Sequence, residues 1–395
     1  MSRWFFSSSF FLFLGNWIGI IALNWYVFET FHNPVYLGWI NFARLVPILV
    51  FSLYAGRLCD QYSRSMLIKL LSGLSFLFTF FFTIVVITSE QLPIIVILFY
   101  ACLRGCVSAF ETPIRNAILP AMSKDVNVSV IVSRYSFVIN ICRSIGPAIA
   151  GLLIGLGFVS YTFALQAFCL FISLLLCLPI TVERVSTKGS QKKSFAIQEM
   201  KQYFSYDLKG RGLFISSLTA MAFGFSYTTI LPVLTDFHFP GEAEVFGIAM
   251  SFAAVGGIVA TLTLPKVLTQ VNEETMYYRS LCLFSISLIG VLIPLKSLLF
   301  VCLFAIGFFG QWTRSTNRIY FQNKIPDEKR GRIMSVILMD RGMIPLGALV
   351  ISFLADSIGI MFTFAIMAIG TFIPVITNFK KIDSIDEGGE QCYKL

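Results

Sequence analysis

Long uninterrupted apolar runs, separated by short polar stretches, dominate the chain of 395 residues. Each run has about the 20 residues that a helix needs to cross a hydrocarbon core about 30 Å thick. Barrel strands would instead alternate in polarity over about ten residues. The pattern therefore predicts twelve membrane-spanning helices, at 5–28, 37–57, 66–88, 92–113, 132–157, 159–182, 211–234, 246–264, 280–295, 298–317, 333–355 and 358–379.

The composition supports a membrane protein. Hydrophobic residues make up 56% of the sequence and charged residues 13%, with a mean hydropathy of +0.80. A soluble domain carries roughly 25% charged residues. We therefore expect an all-α integral membrane fold, with the lipid bilayer as a partner. Nearly all of the nine cysteines lie in or beside apolar runs, where they act as small hydrophobes, so we expect no disulfide framework and no metal site.

The basic residues predict the orientation. Most of the Lys and Arg residues lie in loops that are cytoplasmic if the N-terminus is inside, and the predicted outer loops contain only Lys296. This positive-inside distribution places both termini in the cytoplasm. It also accounts for the net charge of +9 without nucleic acid as a partner, because the basic residues lie in short loops.

The sequence divides into two similar halves. FHNP at 31–34 ends the first span, and FHFP at 237–240 ends the seventh. Pro147 and Pro345 each lie inside the fifth span of a half. We expect a six-helix bundle at 1–182, a cytoplasmic linker at 183–210, a second six-helix bundle at 211–379 and a cytoplasmic tail at 380–395. Such a duplication is typical of transporters whose halves rock about a site between them.

Several motifs resemble those of the major facilitator superfamily. The inner loop after span 2 keeps Gly56, Asp60 and Arg64 of the G-x-x-x-D-R-x-G-R signature, whereas Gln61 and Ser63 depart from it. GPAIAG at 146–151 resembles the G-P-x-x-G-G pattern of exporters, and PDEKRGR at 326–332 followed by PLG at 345–347 resembles the siderophore-exporter and macrolide-efflux branch. Within that branch the chain looks most like exporters of siderophores such as staphyloferrin or enterobactin. The resemblance implies a multi-pass protein of the bacterial cytoplasmic membrane.

Charged residues inside the spans indicate where the chemistry lies. Each costs at least about 2.5–3.5 kcal/mol to insert, so they should face the protein interior and act there. Arg44, Arg104 and Arg143 are predicted near the middle of the membrane, where their forked donors suit a carboxylate. We expect further substrate contacts from Asn16, Asn24, Trp25, Tyr227, Gln311, Trp312 and Arg314.

The charged residues predicted nearer the cytoplasm have two possible interpretations. Glu111 and Asp340 are the candidate proton carriers, since they are carboxylates inside spans. Alternatively, Glu111, Asp340, Arg115 and Arg341 form salt bridges in a gate with the loop that contains Asp60. The predicted gating residues are Gly56, Asp60, Arg64, Arg115, Arg341, Gly146, Pro147 and Gly151.

Three functions remain open from the sequence. The first is a secondary active exporter, driven by proton antiport, of a small polycarboxylate such as a citrate-type siderophore. The second is a multidrug or macrolide efflux pump of the same fold. The third, a receptor or enzyme, lacks support because no phosphate loop, nucleophile constellation or metal triad is recognisable. We expect no enzyme activity, no catalytic residues, no cofactor and a monomer.

Overall fold

The computed structural model describes residues 2–89, 91–119, 128–181, 193–325, 333–334, 336–337, 340 and 342–386. The side chains of 49, 52–61, 128–129, 133, 193–199 and 379–386 lie outside this description. The first half contains α1 (Ser2–Phe31), α2 (Pro34–Gln61), α3 (Arg64–Thr88), α4 (Ile94–Ile118), α5 (Val128–Gly155) and α6 (Val159–Cys177).

The second half follows a short helix. The described elements are α7 (Lys193–Tyr206), α8 (Leu208–Thr219), a π turn (Ala220–Gly224), α9 (Tyr227–His238), α10 (Ala243–Val267), α11 (Glu273–Gly290), α12 (Lys296–Lys324), α13 (Met343–Ile358) and α14 (Ile360–Asp386). The α8, π turn and α9 segments together form one span. This arrangement confirms the predicted fold class of twelve membrane-spanning helices in two six-helix bundles.

Length and apolarity identify most of these spans directly. Within the described residues, nine helical segments are long and apolar enough to cross a membrane. The α13 helix is apolar but has only 16 residues. Large side chains point outward, as a lipid environment requires; Phe81, Phe99 and Phe362 are 60–70% exposed.

Three predicted spans differ in detail from the structure. Span 7 is broken by the π turn rather than being one regular helix. The ninth span begins earlier than predicted because the Asn272 side chain caps α11, accepting a hydrogen bond from the Thr275 amide at 2.8 Å. In the eleventh span, the described continuous helix begins at Met343, and Asp340 lies in a 3₁₀ turn before it.

Each bundle is built from close helix pairs. In the first, α1 packs on α5 and α6, α2 on α4, and α3 on α4 and α6. In the second, α10 packs on α12, and α11 packs on α12 and α14. Glycine allows the closest crossings: a Cβ on Gly105 would overlap the carbonyl oxygen of Arg44, and one on Gly307 would overlap that of Ala253.

The two bundles meet along α5–α10 and α2–α13. We call the side where α1 begins the termini face, and the opposite side the far face. Near the far face, Gly151 and Gly247 bring the α5 and α10 backbones into contact, and Gly38 lies against Ser352. The Trp25 ring also stacks on Phe246, with their centroids 4.6 Å apart. The bundles are therefore closed against each other toward the far face.

Candidate substrate site and gates

Two arginines from neighbouring helices lie in the middle of the first bundle. Arg104 of α4 is 6% exposed and donates to the Asn16 side chain of α1. Arg44 of α2 is half-buried, and its charge lies close enough to that of Arg104 for the two to repel. Gly105 positions this pair, because without a side chain it lets α4 approach the Arg44 backbone.

Neutral groups hold the guanidinium of Arg104. Within the described residues the two ion pairs are Lys209–Glu274, at 3.2 Å, and Lys296–Glu242, and both lie at helix ends. No described carboxylate forms an ion pair with Arg44 or Arg104. A buried cation with a single neutral acceptor leaves donors available to an incoming anion. In agreement with this, Arg104 Nη1 is buried and donates to no described residue.

Each bundle also places an arginine over an aromatic ring. The Arg143 guanidinium lies 5.6 Å from the Trp17 ring centroid, and the Arg314 guanidinium lies 4.4 Å from that of Phe225. The first contact depends on Gly146, because a Cβ there would collide with Trp17. Such cation–π contacts fix the plane of a guanidinium without neutralising its charge.

The predicted contacts on α12 fall into two groups. Gln311 is buried and accepts a hydrogen bond from Arg314 at 3.2 Å, so these two residues form one polar unit. Trp312 instead donates its indole N–H to the Ala260 carbonyl at 2.9 Å, in the contact between α12 and α10. The structure therefore brings Gln311 and Arg314 together and turns Trp312 toward α10.

The three other predicted contacts lie in packed surroundings. Asn24 accepts a hydrogen bond from Asn41 of α2 at 2.9 Å. Trp25 stacks on Phe246 across the bundle interface. Tyr227 is 7% exposed, within the hydrophobic core. These residues lie toward the closed far face, beyond the arginines.

Glu111 and Arg115 occupy a compartment inside the first bundle. Glu111 is 2% exposed and accepts a hydrogen bond from Ser75 of α3 at 3.4 Å. Arg115 is fully buried and donates to Ser9 at 2.9 Å and to Ser8 at 3.2 Å. It also donates to Ser72 at 3.3 Å and lies 3.6 Å from the Cys177 sulfur. The structure thus places Arg115 in a hydroxyl cage within one bundle, although the sequence predicts it in a gate.

A pocket lies beside Arg314 in the second bundle. It is small, with a cavity volume of about 30 Å³, and is lined by Met221, Arg314, Asn317, Arg318, Met334, Ile337 and Asp340. Asp340 accepts a hydrogen bond from Ser217 of α8, and Ser217 accepts one from Asn317 at 3.2 Å. This candidate proton carrier therefore belongs to a polar network at the wall of the pocket.

The predicted gating residues divide between the two faces. Gly146 and Pro147 are buried in α5, and Gly151 meets Gly247 across the bundle interface. Toward the termini face, Arg64 donates to the Ala117 carbonyl at the end of α4, at 2.8 Å. Gly56 and Asp60 lie in α2, but their side chains are outside the described part. Arg341 lies outside the described residues altogether.

Sequence reasoning missed several groups that the structure brings to these sites. Trp17 and Phe225 orient arginines, Ser8 and Ser9 contact Arg115, and Asn317 lines the pocket. A shared spacing is a signal that could have found some of them. The spacing from Ser9 to Trp17 equals that from Ser217 to Phe225, so each half has a serine and an aromatic residue eight positions apart in its first span.

The twelve spans, the duplicated bundles and the polar groups between them define a membrane transporter of the major facilitator superfamily. The chain belongs to the transmembrane secretion effector family, which it matches over residues 1–391. This match confirms the family resemblance indicated by the sequence motifs.

Relatives and solved structures agree with this assignment. The chain is 50% identical to the staphyloferrin A transporter of Staphylococcus aureus, over 94% of both chains. It is 23% identical to macrolide efflux protein A of Streptococcus pyogenes, over 92% of both. A mutant of the nucleoside transporter NupG has a similar fold, with a TM-score of 0.78, 14% identity and coverage of 96% of this chain and 99% of that one. The D-xylose–proton symporter gives 0.73, with 12% identity and coverage of 96% and 97%.

Proposed function

We propose that this protein exports a small polycarboxylate, such as a citrate-type siderophore, across the bacterial plasma membrane by proton antiport. The observation that carries the proposal is the pair Arg44 and Arg104, which lie near each other inside the first bundle without an ion pair to a described carboxylate. The relative with 50% identity supports it, because that protein is named as a staphyloferrin A transporter.

The arginines suit an anion with several carboxylates. A carboxylate that bridges Arg44 and Arg104 would relieve the repulsion between them. Each charge-assisted contact in a partly dry site contributes roughly 1.5–3 kcal/mol. Arg143 and Arg314, held over Trp17 and Phe225, would supply two further guanidinium groups from opposite bundles. A substrate with separated carboxylates could therefore contact both bundles at once.

The closed far face supports loading from the termini face. The α5–α10 and α2–α13 contacts block the central arginines from the far side. With the termini in the cytoplasm, as the positive-inside distribution predicts, this arrangement would receive substrate from the cytoplasm. The proposal also includes the domain division, with six-helix bundles at 1–182 and 211–379, a cytoplasmic linker at 183–210 and a cytoplasmic tail at 380–395. It further includes function as a monomer.

Two carboxylates support proton coupling. Glu111 and Asp340 are both buried, and a serine hydroxyl donates to each. A buried carboxylate can change protonation state as the charges and hydrogen bonds around it change. Glu111 would be the leading carrier and Asp340 the second.

The alternative function is macrolide or multidrug efflux. The relatives named as macrolide efflux proteins support it, although their identity is only 22–23%. Aromatic rings at Trp17, Phe225 and Trp312 could pack against a lipophilic drug. That function predicts that aromatic substitutions weaken binding most, and that Arg104→Ala matters little.

Binding to purified variants tests the proposal. We expect Arg104→Lys to weaken staphyloferrin A binding about tenfold or more, since lysine keeps the charge but loses the forked donors. Arg104→Ala should cost more, while a lipophilic cation should bind no worse. Lys209→Ala is a matched control, because it removes a charge from a helix end. Unchanged siderophore affinity in Arg44→Ala, Arg104→Ala and Arg143→Ala would refute the central anion site.

A further inference from the structure

The pocket beside Arg314 contains a hydrogen-bond acceptor that the protein leaves unused. The Ser217 hydroxyl donates its proton to the Asp340 carboxylate, so its oxygen can only accept from Asn317. The Asn317 amide must then turn its NH₂ group toward Ser217. This leaves the Asn317 carbonyl oxygen on the other side of the amide, and it accepts no hydrogen bond from any described residue although the residue is 5% exposed.

A buried acceptor of this kind normally has a donor partner, because leaving it unpaired costs about 1–3 kcal/mol. The pocket that Asn317 lines is also lined by the guanidinium-bearing residues Arg314 and Arg318. A ligand that suits this wall carries an anionic group for the arginines and, a few bonds away, an O–H or N–H donor for the amide oxygen. A simple carboxylate satisfies only the first requirement.

The other lining residues limit what the ligand looks like. Met221, Met334 and Ile337 provide apolar contact on the remaining sides. Asp340, already hydrogen-bonded to Ser217, disfavours a second carboxylate near the serine side of the pocket. The donor should therefore lie toward Asn317 and the carboxylate toward the arginines, on a short carbon skeleton.

We propose that this pocket recognises a hydroxycarboxylate group. The Asn317 amide oxygen accepts a hydrogen bond from the hydroxyl, and Arg314 and Arg318 bind the adjacent carboxylate. The inference rests on the proposed export of a polycarboxylate and makes it more specific. It assigns to Asn317 a role in discrimination between substrates that differ only in a hydroxyl group. The first bundle would then recognise charge, and the second would recognise charge together with the hydroxyl.

Citrate and its deoxy analogue tricarballylate provide a matched pair of probes. The full-length protein should bind citrate roughly three- to tenfold more tightly than tricarballylate, at one pH and ionic strength, as one neutral hydrogen bond predicts. In Asn317→Leu this preference should fall to about one, mainly through weaker citrate binding. Thr316→Val is the control, since Thr316 is buried next to Asn317, has a hydroxyl without a described partner and does not line the pocket.

The outcomes separate the two proposals. Equal affinities in the unmodified protein, or a citrate preference that persists in Asn317→Leu, would overturn the hydroxyl assignment while leaving polycarboxylate export intact. If neither tricarboxylate nor staphyloferrin A binds and a macrolide does, the proposed function itself fails. Should Asn317→Leu prove unstable in a thermal melt, Asn317→Ser provides the same comparison with a smaller side chain. Its short hydroxyl cannot reach as far as the amide oxygen, so the preference should again shrink.

Discussion

In the first bundle, Ser8 and Ser9 accept hydrogen bonds from the guanidinium of Arg115, whereas in the second Ser217 donates one to the carboxylate of Asp340. All three serines lie in the first span of their half. A hydroxyl both donates and accepts, so a serine in this span can stabilise either sign of charge. The two halves therefore use the same kind of side chain beside charges of opposite sign.

The surroundings of the two charges differ as well. Arg115 is fully buried, with three serine hydroxyls as acceptors, inside a single bundle. Asp340 instead forms part of the wall of a pocket. A charge enclosed within one bundle can support that bundle, but only a charge at an accessible wall can meet a ligand. The comparison suggests that the first compartment acts in stability and coupling, and the second in recognition.

The largest expected effect comes from the buried carboxylates. Glu111→Gln should abolish gradient-driven transport while siderophore binding persists, because glutamine keeps the Ser75 contact but cannot release a proton. Asp340→Asn should reduce transport less. Uptake into inverted vesicles with an imposed pH gradient measures both, and Ser75→Ala controls for loss of the hydroxyl. Normal transport by Glu111→Gln and Asp340→Asn alike would eliminate proton coupling through these residues.

The hydroxyl cage predicts a loss of stability. Arg115→Ala removes a large buried side chain and three of its hydrogen bonds, so we expect a destabilisation of about 3 kcal/mol. Arg134, which is exposed on α5, is the matched control, and Arg134→Ala should change stability by less than about 0.5 kcal/mol. Melting of the purified proteins in detergent compares them. Equal melting temperatures would show that the cage does not support the fold.

Two glycines at close helix crossings, one in each bundle, give the smallest expected effect. Gly105→Ala and Gly307→Ala should each destabilise the protein by about 1–3 kcal/mol, because the new methyl groups meet backbone carbonyls. Only Gly105→Ala displaces an arginine that we assign to substrate binding, Arg44. We therefore expect weaker siderophore binding from Gly105→Ala, measured by calorimetry, and near-normal binding from Gly307→Ala. The opposite order would place the substrate mainly on the second bundle.

The fold could be predicted because its signal is continuous apolarity, which depends on composition and not on precise geometry. The π turn within span 7 could not be predicted, because the sequence of Ala220–Gly224 is typical of an ordinary apolar α-helix. Within the sites, helical spacing placed Arg104, Glu111 and Arg115 on one face of α4. It did not reveal that this face meets Asn16 at one level and serines of α1 and α3 at another.

Serines and asparagines were the hardest functional residues to find. Inside helices, many hydroxyls bond to the carbonyl four residues earlier, as Ser285 and Thr235 do here, so a serine in a span carries little information by itself. Trp312 illustrates the converse difficulty. An aromatic residue with a polar edge looked suitable for a cavity, but its indole N–H satisfies a backbone carbonyl of α10.

The π turn at Ala220–Gly224 amounts to one residue more than a regular α-helix would hold in the same length. Deletion of a single residue within the turn would therefore leave a regular α-helix and keep the residues on both sides facing their present neighbours, with Ser217 still beside Asp340. Residues in an α-helix are about 100° apart around the axis, so the same deletion within α9 would turn everything after it by roughly that angle. A deletion scan through span 7 should therefore find tolerance at the π turn and loss of function on either side of it.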